Sequence, residues 1–399
     1  MRYLISGYYG EGNVGDEAIL AGIMQEIAHR DPSAGFTVLS FDPADTGRRH
    51  GGGRVPLEVV STSLRSPRGL RAVMKRSDLL ISGGGSFLHE ADFALHGRSF
   101  LFRAGKLRPI PYFLSVILMA RSANVPVMWY AQGLGPLHTQ AARRAVAAAG
   151  SVSQLVTWRD PDSARLAYEV GMRAPVQAIV PDPAYALVPA RHEDALQLLH
   201  QAGLEPGSRY VAVCPRPWLG RTAYLENLGQ ALEDLVALSD LRVLFVPFHE
   251  SQDPPVCDSL AARPAFAGRA LSLPAVTSAP LLAAVLGGAE AVVAMRLHSG
   301  ILSATVGTPA VVVDYDPKTS AFAAQTGQSE WCVSVDDLET PAGAAVLSAK
   351  LGRTLAQAGA RRASLARATA PLRAEAGRTA QMAVQLAANG SVYPGGGKA

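Results

Sequence analysis

The stretch that decides the fold is residues 1–20, MRYLISGYYGEGNVGDEAIL. It opens with an apolar run typical of a strand start, continues through a glycine-rich turn, and ends in apolar residues at helical spacing. In the turn, Gly10, Gly12 and Gly15 have the spacing G-x-G-x-x-G. A strand, a glycine turn and a helix in this order predict the opening unit of a Rossmann-like parallel sheet.

The same turn leaves three interpretations open. A dinucleotide phosphate favours the bare amides and positive dipole of a helix N-terminus, whereas Asp16 and Glu17 place two carboxylates on the first turn. The acid that such a cofactor site also needs is available as Asp42, so NAD binding is the first interpretation. A plain turn between strand and helix is the second. A loop that contacts the hydroxyl groups of a substrate is the third.

The composition is that of a globular protein of enzyme size. The chain has 399 residues, of which 48% are hydrophobic and 18% charged, and these values argue against disorder. One core rarely organises so long a chain, so we expect two domains. The net charge of +4 comes without a Lys/Arg run along one element. This favours small anions or an anionic membrane surface as partners and predicts no nucleic-acid binding.

Cysteine usage and hydropathy predict the cellular location. Cys214, Cys257 and Cys332 are widely spaced and form neither a zinc pattern nor a disulfide framework, as expected in a reducing cytosol. The N-terminus lacks a basic segment followed by an apolar run, so no secretory signal is predicted. The apolar run 112–120 is too short to span a bilayer and predicts a buried helix. We therefore expect a cytoplasmic protein.

Strand-like and helical runs alternate along the chain, which predicts βαβ units and parallel sheets. The predicted strands are 3–7, 37–41, 58–61, 79–82, 127–130, 155–158 and 176–180, then 210–214, 243–246, 270–273, 291–294 and 310–313. The proline-rich stretch 181–189 separates the two sets. The predicted fold class is α/β, with two Rossmann-like doubly wound domains facing a cleft, as in GT-B proteins, and C-terminal helices. The predicted parts are an N-terminal domain 1–186, a C-terminal domain 187–340, terminal helices 341–389 and a flexible tail 390–399.

Glycine turns follow two predicted strands of the first domain. The motif ISGGGSFLHE contains Gly84 and Gly85 and ends in Glu90. The motif YAQGLGP contains Gln132, whose amide suits hydroxyl groups. Glycines let a backbone approach a ligand closely, and parallel sheets bind ligands at the carboxyl ends of their strands. A tight turn explains the same glycines equally well.

Basic residues follow other predicted strand ends. Arg159, in TWRDPDS, either pairs with its neighbour Asp160 or holds an anion. Arg216, in CPRPW, lies between two prolines without an adjacent acid, which favours anion binding. In AMRLHSG, Arg296 and His298 share the turn before a helix. From such a turn a guanidinium holds negative charge and an imidazole transfers protons near neutral pH.

A rare lysine extends this basic group. One βα unit later, DYDPK places Lys318 just past a predicted strand. Only five of the 37 basic residues are lysines. Together with the Arg-Leu-His turn, this lysine predicts a site for a negatively charged ligand in the second domain.

Seven motifs in order carry a resemblance to a known family: GYYGEGNVGDEAIL, ISGGGSFLHE, YAQGLGP, TWRDPDS, CPRPW, AMRLHSGI and DYDPK. From Arg2 to about Lys318 the chain resembles the polysaccharide pyruvyl transferase family, and most closely its bacterial cell-wall branch. That branch transfers pyruvate from phosphoenolpyruvate to N-acetylmannosamine of a secondary cell-wall polysaccharide, a step in cell-wall biogenesis and S-layer anchoring. The resemblance implies a GT-B-like fold and no cofactor, with phosphoenolpyruvate as co-substrate.

The resemblance also implies residue roles. The catalytic residues are His298, Arg296 and Lys318. The donor-binding residues are Arg296, Leu297 and Lys318, with Arg159 matching the family's upstream arginine and Arg216 as a second candidate. The acceptor-binding residues are Asn13, Asp16, Gly84, Gly85, Glu90 and Gln132. No metal is expected, because the basic residues neutralise the donor's carboxylate and phosphate. His298 is the expected acid/base.

The chain departs from the family in segment 93–109, which is longer and contains Arg98, Arg103, Lys106 and Arg108. Because of this segment, the resemblance does not decide which sugar is the acceptor. The segment itself is compatible with a lid or with a surface that contacts lipid phosphates. The expected acceptor is lipid-linked and met by a peripheral protein at the inner face of the membrane.

Two rival functions remain at this point. A GT-B glycosyltransferase would hold the diphosphate of a nucleotide sugar with the same basic residues, although Asp314 and Asp316 are imperfect candidates for contacting its ribose. A non-catalytic glycan-binding or assembly protein would not need the Arg-Leu-His turn. The sequence does not predict the oligomeric state.

Overall fold

A computed structural model of the protein describes residues 1–52, 55–62, 67–90, 102–103, 106–275 and 278–390. The chain forms two compact units. The first comprises Met1–Glu11, Ile19–Ala186 and Arg373–Ala399, and the second comprises Gly12–Ala18 and Leu187–Leu372. The contacts thus divide the chain after Ala186, as in the sequence-based division, but they place Gly12–Ala18 in the second unit and share the terminal helices between both. In segment 93–109, Arg98 lies outside the described residues.

The first unit is built on a parallel sheet. Its strands are β1 (Arg2–Ser6), β2 (Gly35–Ser40), β3 (Leu57–Ser61), β4 (Leu79–Leu88), β7 (Val127–Leu134), β8 (Leu155–Trp158) and β9 (Gln177–Ile179), in the order β3-β2-β1-β4-β7-β8-β9. The strand order reverses between β1 and β4, which defines a doubly wound sheet. A small antiparallel hairpin of β5 (Phe102–Arg103) and β6 (Lys106–Leu107) was not predicted.

Helices cover this sheet, and side chains at their first turns explain where several of them begin. They are α1 (Val14–Arg30), α2 (Pro43–His50), α3 (Pro67–Lys75), α4 (Pro109–Ser122), α5 (Gln140–Ser151) and α6 (Pro161–Glu169). Asp42, Thr139 and Asp160 each accept a hydrogen bond from a backbone N–H of the helix that follows. The predicted buried helix is α4, whose apolar side chains pack in the core.

The second unit repeats the plan with a smaller sheet. Its strands are β10 (Tyr210–Cys214), β11 (Arg242–Phe245), β12 (Ala270–Ser272), β13 (Ala291–Ala294), β14 (Ala310–Asp314) and β15 (Cys332–Ser334), all parallel, in the order β12-β11-β10-β13-β14-β15. Its strand order reverses between β10 and β13. The loops that leave these two strands therefore diverge at the carboxyl edge, where such sheets bind ligands.

The helices of the second unit place the residues of interest at this edge. They are α7 (His192–Gln201), α8 (Ala223–Ala237), α9 (Pro254–Ala261), α10 (Ala279–Gly287), α11 (Leu297–Thr305), α12 (Pro317–Gln325), α13 (Val335–Leu338), α14 (Gly343–Ala356) and α15 (Ala358–Asn389). The end of α15 belongs to the first unit, where Ala380, Ala383 and Leu386 join the core. Within the described part of the chain, no helix is both long and apolar enough to cross a membrane.

The sequence analysis located the strands but misjudged where two of them end. Predicted strand 79–82 continues to Leu88, and predicted strand 127–130 continues to Leu134. The three glycines expected in a turn therefore lie inside β4, where Gly84 and Gly85 have φ values of +67° and +101° and the pairing with β7 shifts register. Glycine adopts these φ values without strain, so the strand passes through an irregularity and resumes. Strand β15, a three-residue edge strand, was not predicted.

Candidate active site

The loops at the carboxyl edge of the second sheet carry most of the predicted donor residues. Arg216 follows β10, Arg296 and His298 follow β13, and Lys318 follows β14. The loops that contain Arg216 and Arg296 therefore follow the two strands between which the strand order reverses. The loop after β11, which no prediction included, contributes His249 and Asp253.

Arg296 is held by a buried carboxylate. Its Nε donates to Oδ2 of Asp253 at 3.1 Å, and its Nη2 donates to Oδ1 of the same side chain and to Oε1 of Gln252 at 3.2 Å. The Asp253 side chain is fully buried, and that of Arg296 is 12% exposed. The backbone N–H groups of Phe248 and His249 each donate to Oδ2 of Asp253 at 2.9 Å. The pair thus fixes the loop after β11 to the loop after β13, and it neutralises much of the Arg296 charge.

Arg216 has a different environment. Its Nη1 donates to the hydroxyl of Tyr315 at 2.7 Å, and its guanidinium lies over the rings of Trp218 at 5.0 Å and Tyr315 at 4.8 Å. The backbone carbonyl of Arg216 accepts a hydrogen bond from the Tyr224 hydroxyl at 2.5 Å. Among the described residues, no carboxylate forms an ion pair with it. Arg216 is therefore a half-buried, oriented cation whose charge is available to an anionic ligand.

His249, like Asp253, is a residue that sequence reasoning missed. It is half-buried, and burial lowers the pKa of its imidazole below the usual value. The positive charges of Arg296 and Arg216 lower this pKa further, whereas Asp253 and Glu250 act in the opposite direction. Its position three residues past a predicted strand, in VPFHESQD, was the available signal. His249 therefore lies in its neutral form among two guanidinium groups.

The glycine loop of residues 12–18 contacts this same unit. Asn13 and His249 form an antiparallel β-bridge, in which Val14 N–H donates to the Phe248 carbonyl at 2.9 Å and Glu250 N–H donates to the Gly12 carbonyl at 2.8 Å. The assignment of Asn13 and Asp16 to the N-terminal domain was therefore wrong. Local sequence showed a strand–turn–helix unit, but it did not show that the turn pairs with a loop more than two hundred residues away.

Gly15 brings this loop directly against His298. A Cβ atom at residue 15 would lie 2.3 Å from Nδ1 of His298 and 2.8 Å from its Cγ. Close approach of backbone and imidazole therefore requires glycine at this position. Asn13 orders the turn, because its Nδ2 donates to Asp16 at 2.6 Å and its Oδ1 accepts from Gly15 N–H at 3.1 Å.

Leu297 and Lys318, also predicted donor residues, lie at the starts of two helices. Leu297 and His298 form the first turn of α11, and both are half-buried. Lys318 is exposed at the start of α12, where its backbone N–H donates to Oδ1 of Asp316 at 2.8 Å. The two helices follow neighbouring strands, β13 and β14.

Arg159 belongs to the first unit and is paired there. Its Nη1 donates to Oδ2 of Asp182 at 3.1 Å, and its Nη2 donates to the Ser86 hydroxyl. Both charged side chains are largely buried, at 9% and 3% exposure. The alternative pairing with Asp160 does not occur, because Asp160 accepts from Ser163 N–H and begins α6. The structure therefore places Arg159 in a different unit from Arg216, Arg296 and Lys318.

Two predicted acceptor residues, Glu90 just past β4 and Gln132 in β7, make hydrogen bonds within the first unit. The carboxylate of Glu90, 4% exposed, accepts hydrogen bonds from His138 N–H at 2.6 Å, Thr139 N–H at 2.8 Å and the Thr139 hydroxyl at 2.8 Å. Gln132 is fully buried, and its Nε2 donates to the Gly85 and Gly133 carbonyls at 2.9 Å each. This burial does not fit direct acceptor binding by Glu90 or Gln132.

Gly84 and Gly85 are buried with them. A Cβ at residue 84 would lie 1.9 Å from Cγ2 of Ile19, so Gly84 lets β4 pack against α1. An exposed turn was expected here and a buried strand was found.

Comparison with known proteins now decides the family. The family model described as polysaccharide pyruvyl transferase matches residues 13–317, about three quarters of the chain. The chain belongs to the polysaccharide pyruvyl transferase family. The match includes Asn13, Gly15, Arg216, His249, Arg296 and His298, and it ends one residue before Lys318. No curated protein sequence matches this transferase significantly.

Solved structures agree with the fold of the transferase. Anabaena HepE in complex with UDP-glucose is 15% identical, with a TM-score of 0.60 over 97% of this chain and 99% of that chain. E. coli ADP-heptose LPS heptosyltransferase II is 14% identical, with a TM-score of 0.53 over 90% and 99%. The UDP-GlcNAc 2-epimerase from Neisseria meningitidis bound to UDP-GlcNAc is 11% identical, with a TM-score of 0.56 over 96% and 99%. The prediction of two Rossmann-like α/β domains of GT-B type is confirmed.

The cluster of the transferase suits an anionic ligand and proton transfer. Arg216 offers an unneutralised charge, and His249 and His298 offer groups that exchange protons. Nucleophilic cysteine chemistry does not fit, because burial raises the pKa of the Cys214 and Cys257 thiols far above neutrality. Among the described residues, no three His, Cys, Asp or Glu side chains are grouped to hold a metal ion.

Proposed function

We propose that this transferase moves the pyruvyl group of phosphoenolpyruvate onto two hydroxyl groups of one sugar, forming a pyruvate ketal and releasing phosphate. The proposed sugar is N-acetylmannosamine of a cell-wall polysaccharide precursor. The observation that carries the proposal is Arg216, an oriented cation without a carboxylate partner among the described residues, at the same sheet edge as His298 in a chain of this family.

The charges of the second unit support phosphoenolpyruvate as donor. This small molecule carries a carboxylate and a phosphate, and both require cationic partners. Arg216 supplies one directly, while Arg296 is partly neutralised by Asp253 and chiefly orients the turn before His298. Lys318, exposed and one strand further along, is the proposed second cation. Side-chain cations can thus balance the donor with neither metal nor cofactor.

His298 is the proposed acid/base for the donor carbon. Adding one sugar hydroxyl to C2 requires a proton at the methylene carbon C3, and adding the second hydroxyl releases phosphate. The two hydroxyl protons balance the reaction, since one ends on C3 and the other on phosphate. Positioned acid/base catalysis is worth about 10² to 10⁴ in rate, so loss of the imidazole should be severe.

The proposed setting is the cytoplasmic face of the membrane, with a lipid-linked acceptor. The net charge of +4 supports peripheral attraction to anionic lipids. Asn13 and Asp16, half-buried in the turn that contains Gly15, are the proposed acceptor-binding residues.

The test is phosphate release from phosphoenolpyruvate with and without a soluble or lipid-diphosphate-linked acceptor that contains N-acetylmannosamine. We expect acceptor-dependent release by the wild type and a loss of at least about 10²-fold in His298→Ala. The control is His200→Ala, an exposed histidine on α7 of the same unit. Arg216→Gln should raise KM for phosphoenolpyruvate. Equal activity in His298→Ala and wild type would refute the assignment of His298.

A nucleotide-sugar donor is the competing result of the same experiment. The similar fold of Anabaena HepE in complex with UDP-glucose makes UDP-sugars the appropriate comparison ligands. Thermal stabilisation by a UDP-sugar, together with no phosphate release from phosphoenolpyruvate with any acceptor, would favour glycosyl transfer. Thermal stabilisation by NAD alone would favour the interpretation of the glycine turn as a dinucleotide-binding loop.

A further inference from the structure

We infer that His249 is a second catalytic histidine, whose Nε2 contacts the phosphate of the donor and protonates the oxygen that leaves C2. This inference rests on the proposed phosphoenolpyruvate donor and assigns the departure of phosphate to a named side chain. It is carried by the way the backbone and ring of His249 are fixed, and by the cations around it.

The backbone of His249 is held on both sides. Its own N–H donates to the buried carboxylate of Asp253 at 2.9 Å. The neighbouring Phe248 carbonyl accepts from Val14 N–H, and the neighbouring Glu250 N–H donates to the Gly12 carbonyl. The imidazole is therefore projected from a rigid support, as a catalytic group requires.

The ring presents a defined nitrogen. Nδ1 of His249 lies 3.4 Å from the backbone N–H and 3.4 Å from the hydroxyl of Ser251. A backbone N–H can only donate, so Nδ1 accepts and the neutral ring carries its proton on Nε2. Among the described residues, Nε2 of His249 has no hydrogen-bond partner. A proton on an unengaged nitrogen is suited to an incoming phosphate oxygen.

The charges around His249 explain how it acts as an acid. Burial is the largest cause that disfavours its protonated form, Arg296 and Arg216 add to this effect, and Asp253 and Glu250 oppose it. The net effect lowers the pKa of His249, so the free protein keeps the ring neutral. A phosphate bound beside Arg216 neutralises the repelling guanidinium and adds negative charge. Donor binding therefore raises the pKa of His249, and the imidazole becomes protonated.

The step balances in atoms and charge. The bond between C2 and the phosphate oxygen breaks, and its electron pair stays on that oxygen, which takes the proton from Nε2. The second sugar hydroxyl then adds to C2, and its proton returns to the imidazole. Both histidines flank the segment 13–15, since Asn13 pairs with His249 and Gly15 packs against His298. Proton transfer at C3 and at the leaving oxygen is thus divided between two side chains.

The first experiment tests the contact with phosphate. Imidazole NMR signals of the full-length protein are followed against pH with and without inorganic phosphate, and the His249 signal is identified by its absence in His249→Gln. We expect its titration midpoint to move to higher pH in phosphate, whereas the His200 signal on α7 stays in place. A midpoint that does not respond at saturating phosphate would overturn the inference.

The second experiment tests catalysis. Glutamine keeps a donor near the Nε2 position but transfers no proton, so His249→Gln should lower kcat for phosphate release about 10²-fold and change KM for phosphoenolpyruvate little. His200→Gln is the matched control, and thermal unfolding checks the fold of both. An active wild type with an equally active His249→Gln would overturn the inference and leave the proposed function intact. A wild type inactive with every acceptor would overturn the proposed function and this catalytic step together, and the titration alone would then decide the phosphate contact.

Discussion

Replacing Gly15 by alanine should impair catalysis far more than stability. The new Cβ would meet Nδ1 of His298 at 2.3 Å and its Cε1 at 3.0 Å. Ordinary contact needs roughly 3.5 Å, so the imidazole has to move by about 1 Å. Misplacing a catalytic group by about 1 Å costs about 10²-fold in rate, which corresponds to about 2.7 kcal/mol of transition-state stabilisation.

The stability effect is smaller because two contributions oppose each other. Alanine in a helix is favoured over glycine by about 0.5–1 kcal/mol, whereas overpacking costs about 1–3 kcal/mol. The φ of Gly15 is not positive, so alanine adds no backbone strain. We expect the free energy of unfolding, measured in urea, to change by less than about 2 kcal/mol. Gly352→Ala in α14 is the matched control, because nothing lies within 4 Å of its new Cβ.

The assay is acceptor-dependent phosphate release by Gly15→Ala, His298→Ala and the double variant. If alanine acts by displacing His298, it has no further effect once that imidazole is gone, so the two losses should not add. Full activity of Gly15→Ala would refute the reasoning. Losses that multiply in the double variant would show that residue 15 acts on something other than His298.

Three further predictions follow from single contacts. Glu90→Gln should lower the melting temperature, because the carboxylate that accepts three hydrogen bonds is lost, and it should leave kcat unchanged. Lost activity at unchanged stability would instead show that Glu90 binds the acceptor sugar. Tyr315→Phe should raise KM for phosphoenolpyruvate about fivefold at constant kcat, because it removes the hydrogen bond that orients Arg216, worth about 1 kcal/mol. A KM equal to that of the wild type would contradict this. The pKa of His249 is lower in the folded protein than in the unfolded chain, where it is about 6.5. As pH falls below about 6.5, the unfolded chain takes up a proton that the folded protein disfavours, so the free energy of unfolding decreases. The urea midpoint should therefore fall less between pH 7.5 and pH 5.5 in His249→Asn than in the wild type, and equal slopes would argue against the shift.

Local patterns predicted much of the candidate site. Arg216, Arg296, His298 and Lys318 were found because each follows an apolar strand, and carboxyl ends of parallel strands meet at one edge. Their partners were not predicted. The pairing of Arg296 with Asp253, and the position of His249, depend on which loops become neighbours across the sheet. Which loops lie next to each other at that edge depends on the order of the strands in the sheet, and a single sequence does not specify that order.

The sequence by itself determined two parallel α/β sheets and the chemical character of the strand-end loops. Strand periodicity, prolines and glycine turns act over a few residues, so they can be read directly. Only the tertiary structure decided that the opening glycine turn joins the second unit and that Gly15 packs against His298. It also decided that Glu90 and Gln132 are buried. These outcomes depend on contacts between distant parts of the chain, where burial and hydrogen bonding outweigh the preference of any local motif.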